Sequence, residues 1–176
     1  MDFLETKLKG CFVIQSNPYI DERGSFERLY CEDSFKDKGL NYKFINTNYS
    51  FNKFAGTLRG MHMQKEPYSE VKLVKCVEGS IFDVAIDMRE DSLTRYKWFG
   101  LTLSSNNNKQ LYIPKGFAHG YQSLEDNSAV TYMVSNVYHP ESEIGICYND
   151  PKISINWPIA VKRISKKDSS LTHIFN

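Results

Sequence analysis

The chain has 176 residues, enough for one domain with a sizeable core. Its 22 Lys and Arg residues offset 21 Asp and Glu, and a net charge of +1 excludes bulk affinity for nucleic acid. No apolar run reaches membrane-spanning length, and the opening MDFLETKLKG lacks the cationic-then-apolar order of a signal peptide, so a cytoplasmic protein is expected.

Cys11–Ile14 reads as a first strand, stopped by Asn17-Pro18. Asp21-Glu22-Arg23-Gly24 reads as a turn, and Ser25–Tyr30 alternates like a half-buried strand. Residues 32–38 form the best helix candidate, with acidic residues leading, lysines following and Gly39 to close it. Phe44–Ser50 looks extended, with Asn46 and Asn48 on one face. The runs Val71–Val77 and Ile81–Ile86 flank Glu78-Gly79-Ser80 and predict a hairpin. Asp83, inside the second run, needs a partner if that run is buried.

Trp98–Leu103 and Gln110–Ile113 are further strands joined by polar SSNNNK. Ala118–Leu124 and Ala129–Val137 follow, separated by a turn at residues 125–128. Beyond Tyr138 the prolines 140, 151 and 158 loosen the pattern, and the lysine-rich end reads as a solvated surface. Many short strands with one short helix predict an all-β sandwich or barrel, spanning residues 1–176 as one domain.

The chemistry gathers in GTLRGMHMQKEPYSEVKLVKCVEG, residues 56–79. It holds Arg59 and His62 beside Gly60, with Lys72 ten residues after the histidine. Lys72 and Lys75 are three apart on one strand and so face opposite ways, which sends one of them inward or into a pocket. Four cysteines at 11, 31, 76 and 147 form no C-x-x-C pair or zinc spacing and read as free thiols. His139 and His173 read as surface residues.

The stretch Pro114-Lys115-Gly116-Phe117-Ala118-His119 resembles the second half of the cupin signature, a jelly-roll hallmark. Metal-binding cupins carry two histidines one residue apart in the first half, where this chain has His62-Met63-Gln64. Glutamine is a poor transition-metal ligand, so the expectation is no metal; the alternative is a site of His62, His119 and a nearby glutamate.

Further motifs run in a fixed order: Asp21–Phe26, Leu58-Arg59-Gly60-Met61-His62, Lys72-Leu73-Val74, Asp83–Arg89, Ile113–Gly120, Tyr132 with Tyr138, Asn149-Asp150-Pro151, Trp157-Pro158 and Ser165-Lys166-Lys167-Asp168. Together they resemble the dTDP-4-dehydrorhamnose 3,5-epimerase family of nucleotide-sugar epimerases, over nearly the whole chain. The resemblance implies a cupin-type jelly roll, a homodimer, no cofactor, and a nucleotide-diphosphate 4-keto-6-deoxy sugar as substrate. It implies that His62 is the base, Asp168 its orienting carboxylate, Tyr132 the opposing acid and Lys72 the stabiliser of the enolate. Arg59 and His119 would hold the diphosphate and sugar, and Arg23 would reach the nucleotide across a dimer. Asn46, Asn48, Tyr138, Glu143 and Lys167 fall at further substrate-contact positions.

The residue types suit such chemistry. A C4 ketone acidifies hydrogens at C3 and C5, and imidazole is a suitable base at neutral pH. Departures from the family pattern at Arg28, Thr47 and Met63 leave the nucleotide and sugar open. A mono-epimerase on a CDP- or GDP-linked sugar, a 3,4-ketoisomerase and a non-enzymatic sugar-binding cupin are the alternatives.

Overall fold

The computed structural model of the chain describes residues 1–41 and 43–174. In chain order its elements are β1 (Asp2–Glu5), β2 (Phe12–Gln15), β3 (Tyr19–Asp21), β4 (Gly24–Phe26), α1 (Glu32–Asp37), β5 (Asn46–Asn52), β6 (Thr57–Gln64) and β7 (Lys72–Glu78). Then come β8 (Ser80–Asp87), β9 (Trp98–Ser104), β10 (Lys109–Ile113), β11 (Phe117–Ser123), β12 (Ser128–Val134), β13 (Glu143–Gly145), β14 (Arg163–Ile164) and α2 (Lys166–Ser169). The first sheet has the order β1-β2-β10-β7-β12-β5, and the second β13-β6-β11-β8-β9 with β14 parallel on β6. This is the expected all-β sandwich with two short α-helices.

Two sequence expectations need correction. The runs around Gly79 are not a hairpin: β7 lies between β10 and β12 in the first sheet, while β8 lies between β11 and β9 in the second. Both runs are too apolar for a solvated flank, so each is enclosed by other strands and the turn carries the chain across the sandwich. Gly79 makes that corner at φ +67, where a Cβ would sit 2.6 Å from Ser128 Oγ. Ser128 Oγ in turn accepts the Ser80 N–H and donates to the Ser80 carbonyl, which fastens the corner. The chain also crosses between sheets from β5 to β6, β9 to β10 and β11 to β12.

Secondly, Ser25–Tyr30 is not a strand of either sheet. Its first two residues belong to a separate ribbon of β3 and β4, in which Phe26 is 70% exposed. The remainder lies along the outside of the first sheet, held where Lys75 Nζ donates to Glu27 Oε1 and Gln110 Nε2 donates to the Leu29 carbonyl. Lys75 thus faces outward from the sandwich yet is buried, beneath Glu27.

The core between the sheets contains Val74, Cys76, Ile81, Ala85, Leu103, Leu111 and Val130, each fully buried. Burying an aliphatic side chain of this size contributes about 1.5–3 kcal/mol. Outer clusters cover the other faces, one under α1 around Phe35 and one around Met61, Ile86 and Ile146. The free ends of the cysteines agree with the thiol reading, and burial pushes the Cys11 thiol up to about 12.

One irregularity positions the side chains discussed below. His62 pairs with His119 and Arg59 pairs with Tyr121, so Gly60 and Met61 together oppose Gly120. That extra residue is a β-bulge. Gly60 has φ +115, a Cβ on it would lie 2.6 Å from Gly120 Cα, and its peptide bond to Met61 is cis. Gly60→Ala is expected to destabilise the protein by about 2 kcal/mol or more, from a side chain forced into backbone at positive φ. Urea unfolding checks this; a loss under about 0.5 kcal/mol would contradict it.

Candidate active site

Residues three apart on a regular strand point to opposite faces. The bulge at Gly60 removes that rule for β6, so Arg59 and His62 both line one cavity between the sheets, of about 570 Å³. On the paired strand, His119 and Tyr121 line the same cavity by ordinary alternation.

His62 is held from below. The parallel pairing of Arg163 with Thr57 and Ile164 with Leu58 lays β14 beside β6. Ser165 then caps α2, its side chain accepting the Asp168 N–H at 2.9 Å. This puts Asp168, 4% exposed, against the bulge: Oδ2 accepts the Gly60 N–H at 3.2 Å, and Oδ1 lies 2.8 Å from His62 Nε2. Asp168 is thus buried, although the lysine-rich end that carries it reads in sequence as a solvated surface. A buried carboxylate fixing one ring nitrogen leaves the other, Nδ1, to exchange a proton.

The facing sheet supplies the opposite wall. Lys72 and Tyr132 sit on neighbouring strands, with Val134 opposite Lys72 and Tyr132 opposite Val74. Lys72 is the lysine that enters the cavity, and its Nζ lies 3.3 Å from Glu70 Oε1, both side chains being mostly covered. Burial, then the nearby Tyr121 and Glu70, push the Tyr132 hydroxyl above its ordinary value, so it keeps its proton at neutral pH.

A second lobe of about 320 Å³ shares His62, Lys72 and Tyr132 with the first. Asn46 and Asn48 line it, standing opposite Val134 and Tyr132 on β5. Tyr138 and Glu143 close its rim: the Tyr138 hydroxyl and Lys167 Nζ each donate to Glu143 Oε2 at 2.6 Å. Glu143 Oε1 lies 4.0 Å from His62 Nε2. Burial works to raise the Glu143 carboxyl, but the Lys167 and Tyr138 hydrogen bonds outweigh it and the net shift is downward.

The larger lobe is lined by four Lys and Arg side chains (Arg59, Lys72, Arg163 and Lys167) against one carboxylate, Asp168, which suits an anionic ligand. His119 faces it with Nε2 2.7 Å from the fully buried Asp83, the partner that Asp83 required. Gln64 is spent structurally, donating to the Tyr68 and Val137 carbonyls and accepting the His139 N–H. His139 is half-buried and stacks on Tyr68 at 4.0 Å, against the expectation of a surface residue.

Arg23 is the one nominated residue that this chain does not bring to the cleft. It stands on the exposed ribbon, paired with Asp21 at 2.6 Å. Sequence reading missed Glu70, Tyr121 and Arg163. Tyr121 could have been found, two residues after His119 on the same strand face. Arg163 carried no periodic signal, and the solvated-end reading hid it, since it is exposed while lining the cavity.

Comparison with known proteins decides the family. Residues 5–175 match the family model of dTDP-4-dehydrorhamnose 3,5-epimerase. The chain belongs to the dTDP-4-dehydrorhamnose 3,5-epimerase family. It is 41% identical over 169 residues to the dTDP-4-dehydrorhamnose 3,5-epimerase of Methanothermobacter thermautotrophicus, covering 94% of this chain and 90% of that one. The crystal structure of the Elizabethkingia anophelis enzyme superposes with a TM-score of 0.95 at 40% identity, over 99% of this chain and 96% of that one. A Legionella pneumophila dTDP-6-deoxy-D-glucose-3,5-epimerase, solved in complex with dTDP-4-keto-L-rhamnose, gives 0.93 at 35% identity, over 99% and 94%. Like its family, the chain is an epimerase, hence an isomerase, on a cupin-type jelly roll.

For this epimerase, Asp168→Asn is expected to lower kcat about 100-fold or more while KM changes less than about threefold, because the imidazole loses its charged partner but the cavity keeps its shape. Steady-state kinetics check this, and a kcat within about threefold of the parent would contradict it.

Proposed function

We propose that this epimerase inverts C3 and C5 of dTDP-4-dehydro-6-deoxyglucose, supplying the 4-keto sugar of dTDP-rhamnose biosynthesis. The observation that carries the reading is an imidazole–carboxylate pair and a protonated tyrosine on opposite walls of one cationic cleft. The sugar nucleotide bound by the Legionella relative supports the choice of substrate.

The sugar lies between the sheets. Its C4 ketone acidifies the adjacent C–H bonds, so no cofactor is needed. His62, oriented by Asp168, takes the proton from the ring carbon. The electron pair moves onto the C4 oxygen, where the ammonium of Lys72, itself mostly covered, stabilises the enolate charge. Tyr132, on the facing sheet, gives its proton to the other face of that carbon and so inverts it. The step leaves an imidazolium and a phenolate, and exchange with water restores both before the second centre reacts.

Arg59, His119 and Lys167 hold the diphosphate and sugar, Arg59 through its fork of N–H donors. Asn46, Asn48, Tyr138 and Glu143 complete the binding surface in the smaller lobe. The protein works as a homodimer in which Arg23 reaches the nucleotide site of the second copy. What supports this is the ribbon that carries Arg23, whose Tyr19, Ile20 and Phe26 are 67%, 72% and 70% exposed.

Incubation with dTDP-4-dehydro-6-deoxyglucose in deuterium oxide tests the reading. NMR of the product is expected to show deuterium at both C3 and C5. Deuterium at one carbon would reduce the activity to mono-epimerisation, a carbonyl moved to C3 would make it a ketoisomerase, and no uptake would overturn the proposal.

A further inference from the structure

Arg59 is held by a side chain that lies outside the cleft lining. Asn52, the last residue of β5, is 1% exposed and belongs to the opposite sheet. Its Oδ1 accepts the Arg59 Nε–H at 2.9 Å. Its Nδ2 donates to the Ser128 carbonyl and to the Tyr121 hydroxyl, both at 3.2 Å. The Tyr121 hydroxyl passes its own hydrogen to Ser50 Oγ at 2.8 Å. The Ser128 carbonyl requires a donor and the Arg59 Nε–H an acceptor, so only one orientation of the amide satisfies both.

The consequence for Arg59 is specific. The Nε–H is committed to Asn52 and one NH2 hydrogen to the Phe51 carbonyl at 3.1 Å. One edge of the guanidinium is thereby fastened to β5, and the rest of its fork is left for the cavity. A long cationic side chain otherwise loses rotamer freedom when it grips a ligand, and that loss subtracts from affinity. Asn52 removes the cost before the ligand arrives. The bond also crosses the sandwich, tying the first sheet to the bulged strand of the second.

We propose that Asn52 is a positioning residue for diphosphate recognition: it fixes the guanidinium plane of Arg59 without touching the substrate. The inference rests on the proposed role of Arg59 in holding the diphosphate. It separates Asn52 from the buried polar residues that serve only the fold, such as Ser128 at the Gly79 corner.

A double-mutant cycle tests it. Calorimetry gives the Kd of dTDP for the full-length parent, Asn52→Ala, Arg59→Ala and the double variant, and kinetics give KM and kcat for each. Asn52→Ala is expected to weaken dTDP binding and raise KM about 10-fold, the worth of one hydrogen bond to a charged group, with kcat within about twofold. In the Arg59→Ala background the same substitution is expected to change Kd by less than about twofold. If Asn52→Ala does not fold, Asn52→Ser takes its place, since its hydroxyl ends one bond short of the amide oxygen that holds Arg59 but leaves a small polar group in the buried space. Losses that multiply in the double variant, a fall in kcat with KM unchanged, or parent-like affinity in the single variant would each overturn the proposal. Failure of the parent itself to bind dTDP would instead sink the reading of the cleft on which the inference rests.

Discussion

The cleft depends on how closely two strands approach at Gly60 and Gly120. A strand alternates its side chains with period two, so β6 on its own would turn Arg59 and His62 to opposite faces. The extra residue at the bulge reverses that parity and delivers both to the inside. Neither glycine tolerates a Cβ: at Gly60 it would strike Gly120 Cα, and at Gly120 it would strike Met61 Sδ and the Arg59 carbonyl. The bulge also turns the Gly60 N–H toward Asp168, so the distortion that aims the imidazole binds the carboxylate that orients it. Backbone shape and catalytic charge are joined at one point of the fold.

The sandwich then accounts for the division of labour. Inversion of a carbon needs proton transfer on both of its faces, and two facing sheets offer two walls. His62 and Arg59 come from one, Lys72 and Tyr132 from the other. Carboxylates placed this deep are costly unless partnered, and these have partners: Glu70 with Lys72, Asp83 with His119, Asp168 with His62. These pairs leave the lining of the larger lobe cationic, since Asp83 stands behind His119 and Glu70 faces the smaller lobe.

Much of this was legible in the sequence, for identifiable reasons. Apolar runs located β7, β8, β9, β10, β11 and β12, because burial imposes them locally. Sheet membership was not legible: periodicity says which face a side chain takes and nothing about which strand lies beside it. The supposed hairpin at Gly79 failed on that ground. Ser25–Tyr30 misled differently, as its alternation reflects isolated tethers such as Lys75–Glu27 rather than a ladder. Within the site, the Arg59–His62–Lys72 stretch announced itself because its charged residues interrupt an apolar pattern. Asp168 did not, since its partner His62 lies 106 positions away and its own neighbourhood reads as a hydrophilic tail. The family's motif order supplied what local pattern could not.

The central claim is that base and acid are separate groups on opposite walls. Tyr132→Phe tests it most directly, with the 4-keto sugar nucleotide incubated in deuterium oxide and the recovered starting sugar and product both examined by NMR. The account predicts that His62 still exchanges the ring hydrogen, so deuterium enters the unepimerised sugar, while inversion slows about 100-fold for want of a donor on the other face. Inversion at the parent rate, or loss of exchange and inversion together in a folded variant, would contradict it.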